Sequence, residues 1–95
     1  MPLTFHISGA LRAFAGGRDR IEVAGAAATV ADALDMLWAA YPGLRDRVAT
    51  EGGEIREHVN VFVGQENIRY TGGLTTSIEP DAEISIFPAI SGGRS

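Results

Sequence analysis

The chain contains no cysteine. Disulfide staples, thiolate nucleophiles and cysteine-type zinc sites are thereby excluded, and cysteine usage says nothing of redox compartment. It also contains no lysine: all eight basic residues are arginine. A coding bias toward Arg, Ala and Gly accounts for this, yet it has a chemical consequence. No side-chain amine is available as an isopeptide acceptor, so only the α-amino group could serve. No window approaches the roughly 18 apolar residues of a membrane helix. The opening MPLTFHIS lacks the basic n-region and long apolar stretch of a signal peptide. These absences predict a soluble cytoplasmic protein. The net charge of −4 argues against nucleic acid or an anionic membrane as partner, because both need a basic face.

What is present is ordinary for a globular domain: 45% hydrophobic and 21% charged residues over 95 positions. A chain of this size forms one domain, burying roughly 60–65% of its unfolded surface. Leu3, Phe5 and Ile7 alternate with Thr4, His6 and Ser8, the period-two pattern of a half-buried strand. Gly16-Gly17 marks a turn, and Ile21-Glu22-Val23 predicts a second strand and a hairpin. Thr29 is a good N-cap, with Asp32 three positions on. Val30, Leu34, Leu37, Trp38 and Tyr41 then fall on one face of a helix over 30–41, which Pro42 and Gly43 stop. Leu44 and Val48 suggest one further helical turn.

Val59, Val61 and Val63 alternate with Asn60 and Phe62, the clearest strand in the chain. Gly64 to Asn67 predicts a turn into a short partner strand, Ile68-Arg69-Tyr70. Leu74 and Ile78 are expected to plug the core from a loop. Pro80-Asp81 turns the chain into the last strand, Glu83 to Phe87, and Pro88 ends its ladder because it has no N–H donor. The order predicts class α+β, with one main helix across one face of a mixed sheet.

Catalytic patterns are absent. His6 and His58 are far apart and have no partners at ligand spacing, so each reads as a solvent-facing strand residue. No nucleophile elbow, metalloprotease motif or phosphate loop occurs. Asp32 and Asp35 read as a solvated helix face. No catalytic residue and no metal site is expected, and a chain this small is a poor candidate for an enzyme.

The ending FPAISGGRS stands apart. From Pro88 to Gly93, six residues fully extended would reach about 20 Å. Ala89, Ile90 and Ser91 are uncharged, and Gly92 and Gly93 have no Cβ, so this stretch could thread a narrow channel. Such an arm suits delivery of a C-terminus into another protein's active site. The division expected is a domain over 1–88 and a tail over 89–95.

The closing stretch SIEPDAEISIFPAISGG, with the element order and length, resembles the ThiS/MoaD family of ubiquitin-like sulfur carriers. Within it, HVNVFVGQENIRYTGGLTTSI looks most like the branch that supplies sulfur for cysteine synthesis. The resemblance implies a β-grasp fold of about five strands with an extended C-terminal tail. It also implies a chemistry. A ubiquitin-activating-type enzyme would use ATP to adenylate the Gly93 carboxylate, a sulfur donor would displace AMP, and the thiocarboxylate would pass its sulfur to a biosynthetic enzyme. That acceptor would be a cysteine synthase-like enzyme, or a molybdopterin or thiazole synthase. The carrier would bind no cofactor of its own. Gly93 would carry the sulfur, Gly92 would let the arm thread, and Phe87, Pro88 and Ile90 would dock the partner. Phe87 could equally be core.

One departure matters: family carriers act with Gly-Gly as a free C-terminus, whereas Gly93 here is joined to Arg94. Either a JAMM-type zinc protease removes Arg94-Ser95, or the pair is a cloning remnant. Two other readings stay open: a ubiquitin-like modifier conjugated through Gly93, and a β-grasp interaction module with an inert tail.

Overall fold

In the computed structural model, which describes residues 2–88, the alternating runs become a sheet. β1 (Leu3–Ile7) pairs antiparallel with β2 (Arg20–Val23), in the register Phe5 opposite Ile21. The link between them holds a 3₁₀ turn at Arg12–Ala15, which Gly16 ends at φ 66°, a left-handed conformation that suits a residue without Cβ. Thr29 then caps α1 (Val30–Ala40), its Oγ1 accepting the Asp32 N–H at 3.3 Å.

Pro42 does more than stop α1. It occupies the first turn of α2 (Pro42–Val48), where its missing N–H has no helical partner to lose, and Gly43 lies inside that helix. β3 (Val59–Val63) turns at Gly64 into β4 (Glu66–Asn67). The strand expected at Ile68–Tyr70 is instead a 3₁₀ turn, and β4 precedes it. The cause is local: the Asn67 side chain accepts the Arg69 N–H at 2.9 Å and curls the backbone, which drops Ile68 into the core.

β5 (Glu83–Pro88) enters the middle of the sheet, parallel to β1 and antiparallel to β3, giving the order β2-β1-β5-β3-β4. The inward rows Leu3, Phe5, Ile7, Val59, Val61, Ile84 and Ile86 meet Val30, Leu34 and Leu37 of α1 and Leu44 and Val48 of α2. Each such side chain contributes roughly 1.5–3 kcal/mol of burial. Leu74 and Ile78 pack against this core from their loop, as expected. Asp32 and Asp35 are exposed on the opposite face of α1. This is an α+β β-grasp fold with a five-stranded mixed sheet.

Candidate functional site

The alternation of β5 decides which way Phe87 faces. Ile84 and Ile86 are fully buried, so Glu83, Ser85 and Phe87 point away from the helices. Phe87 is 37% exposed, a large apolar side chain on the open face of the sheet and not core. It does not stand alone. Its ring stacks on Phe62 of β3, with centroids 5.4 Å apart and planes at 18°. The register explains the pair: Asn60 lies opposite Phe87 and Phe62 opposite Ser85, so the two phenylalanines are diagonal neighbours within reach of aromatic rings.

The aromatic surface extends from there toward the edge of the sheet. Phe62 and the 83% exposed Tyr70 border a shallow groove of about 440 Å³, floored by Gln65, Glu66, Asn67 and Thr71. Asn67 Nδ2 donates to Asn60 Oδ1 at 3.2 Å, which ties β4 to β3 beneath the groove. Phe62 was not among the residues singled out from sequence. Its outward position follows from the β3 alternation, but its contact with Phe87 requires the pairing of strands about two dozen residues apart.

Pro88 is the last residue of β5 and lies opposite Val59. Ile90, Gly92 and Gly93 lie outside the described residues, as do Arg94 and Ser95. The tail over 89–95 is thus known by its root, which leaves the sheet beside the Phe62–Phe87 pair. The two histidines are not brought together. His6 lies on the open face, its Nε2 2.8 Å from Glu83 Oε1, while His58 precedes β3 and lines a separate polar cleft. Among the described residues no group of three or more His, Cys, Asp or Glu could hold a metal ion, and no helix is long and apolar enough to cross a membrane.

Known proteins are similar to this chain in sequence and in fold. The sulfur carrier protein CysO of Mycobacterium tuberculosis is 32% identical over 95 residues, covering 98% of this chain and all of that protein. Small archaeal modifier protein 1 of Haloferax volcanii is 40% identical over 80 residues, covering 83% of this chain and 86% of its own. Among solved structures, the Amycolatopsis orientalis BexX/CysO complex contains a chain that superposes with a TM-score of 0.84 at 31% identity, covering 96% of this chain and 99% of that one. These relatives are a sulfur carrier protein and a small archaeal modifier protein. Matched by the ThiS family model over residues 5–93, the chain belongs to the ThiS family.

Proposed function

We propose that this protein is a sulfur carrier in which residues 1–88 form the body and residues 89–95 the arm. The observation that carries the reading is the extent of the family match, which runs through the diglycine to residue 93. An activating enzyme binds the body, and the arm reaches into its active site. There the Gly93 carboxylate oxygen attacks the α-phosphorus of ATP, pyrophosphate leaves, and the carboxylate becomes an acyl adenylate. A sulfide-equivalent nucleophile then attacks the carbonyl, AMP leaves with the bonding electron pair, and a thiocarboxylate remains. Its sulfur is a better nucleophile than the oxygen it replaces, and a biosynthetic enzyme consumes it; cysteine synthesis is the use favoured by the similarity to CysO.

The chain supplies no catalytic group to these steps. Phe87 and Pro88, with Ile90, dock the partner, and the missing side chains of Gly92 and Gly93 let the arm thread. ATP belongs to the activating enzyme, not to the carrier. Adenylation needs a chain that ends at Gly93, since an amide carbonyl has no free carboxylate oxygen to attack ATP; where Arg94-Ser95 is native and not a cloning remnant, a JAMM-type protease suits its removal. The test is ATP–pyrophosphate exchange by the cognate activating enzyme. The protein ending at Gly93 should support exchange, and the reading fails if it does not.

A second reading is favoured by the likeness to small archaeal modifier protein 1. The same activated Gly93 could acylate lysines of other proteins. Adducts in cell extract that survive reducing agent would support it, and their absence under stress conditions would count against it.

A further inference from the structure

The polar cleft beside the root of the arm has no part in the chemistry above. Its volume is about 310 Å³, and Asp46, Arg47, Arg56 and His58 line it. α2 supplies the first two residues, and the segment entering β3 supplies the others. Its frame is held from several sides. Arg56 Nε donates to the Asp46 carbonyl at 3.0 Å, and the Arg56 N–H donates to the Val48 carbonyl at 2.9 Å. From the sheet edge, Arg69 Nη2 donates to the carbonyls of Glu57 at 2.9 Å and Val59 at 3.3 Å, clamping the backbone on both sides of His58. The Arg47 guanidinium lies over the Phe14 ring, 4.4 Å from its centroid, which braces the side chain, and its side-chain N–H groups donate to no other described residue.

Among the described residues these cations have no carboxylate partner within ion-pair distance. Among the described residues the only arginine in an ion pair is Arg20, 3.1 Å from Glu22. Asp46 is the one carboxylate lining the cleft, and it is not within ion-pair distance of Arg47 or Arg56. Register fixes the position. His58 directly precedes Val59, the partner of Pro88, so the cleft opens where the chain leaves the sheet. Three carboxylates, Glu79, Asp81 and Glu83, lie at the other end of β5, with Glu66 just beyond the Gly64 N–H that donates to the Glu83 carbonyl at 2.9 Å. At the cleft end Asp46 lines the cleft, and the exposed Glu57 lies between Arg56 and His58 in the chain. A strand of six residues puts roughly 17–20 Å between the two ends. A domain of net charge −4 thus places two arginines that have no ion-pair partner among the described residues at the root of its arm.

We propose that this cleft docks an acidic segment, rich in Asp and Glu side chains, on the surface of the enzyme that receives the arm. The inference rests on the carrier reading and names the partner chemistry of the same encounter. Guanidinium N–H groups match carboxylate oxygens in paired hydrogen bonds, and two arginines with an imidazole can hold more than one carboxylate. An acidic partner surface would also repel the opposite end of the domain. The encounter is therefore oriented, with the arm toward the enzyme.

The test is the affinity of the Gly93-terminated protein for its activating enzyme, measured for wild type, R47E/R56E and R47K/R56K at ~50 mM and ~500 mM salt. Wild-type binding should weaken with salt, and R47E/R56E should lose about tenfold in affinity at low salt while R47K/R56K keeps most of it. Unchanged thermal stability of each variant shows that the fold is intact. Normal adenylation of wild type with an unchanged affinity of R47E/R56E would overturn the docking inference alone. Failure of wild-type adenylation would overturn the carrier reading and this inference with it.

Discussion

Phe87 and Phe62 stack at 5.4 Å on the face of the sheet that the helices do not cover, one residue before β5 ends. The pair lies outside the core between sheet and helices, and Phe87 stays 37% exposed to solvent. In the carrier reading the pair is the anchor that sets the reach of the arm into the partner.

Replacing Phe87 with Ala should separate docking from folding. Because the ring is 37% exposed, the variant should lose no more than about 1.5 kcal/mol of stability. Binding to the activating enzyme should fall by about tenfold or more, as expected when a central aromatic anchor is removed. Titration calorimetry beside urea unfolding checks both halves. Phe62→Ala should behave alike, and the double variant should lose less affinity than the two single losses predict together, because each ring supports the other.

Leu37 is fully buried where α1 meets the sheet. Leu37→Ala should destabilise the domain by about 2–5 kcal/mol, a large share of the stability of so small a protein. The expected observation is a lower urea midpoint. An unchanged midpoint would mean that α1 does not pack as described.

The Thr29 cap is a smaller term. Thr29→Ala removes the acceptor for the Asp32 N–H and should cost about 1 kcal/mol. Thr29→Asn, which keeps an acceptor, should recover most of that loss in the same unfolding experiment.

The absence of lysine makes a prediction about conjugates. If the modifier reading holds, adducts on other proteins should contain no copies joined through this protein's side chains, because none of them is an amine and only its α-amino group could accept a second copy. Mass spectrometry of purified adducts checks this, and a ladder joined through this chain's side chains would contradict it.

Much of this was legible in the sequence because the physics is local. The Val59–Val63 alternation, the Glu83–Phe87 alternation and the stripe from Val30 to Leu37 each report burial directly, and Thr29 announced its helix. One element, the strand expected at Ile68–Tyr70, was misread, and the expected second helical turn begins earlier than read, each where one residue has two local uses. Pro42 ends one helix and begins the next, and Asn67 both closes β4 and turns the chain into a 3₁₀ turn. The site was legible only in part. The diglycine and Phe87 stand out in the one-dimensional pattern, but Phe62, the groove at Tyr70 and the Arg47–Arg56 cleft exist only after distant segments are joined by register.

The central claim is that Gly93 ends the working protein and carries the sulfur. The most direct measurement is the intact mass of the untagged protein isolated from its native cells. The account predicts a chain ending at Gly93, with some molecules having one oxygen replaced by sulfur. A uniform population ending at Ser95 would contradict it, because Gly93 would then have no free carboxylate to activate.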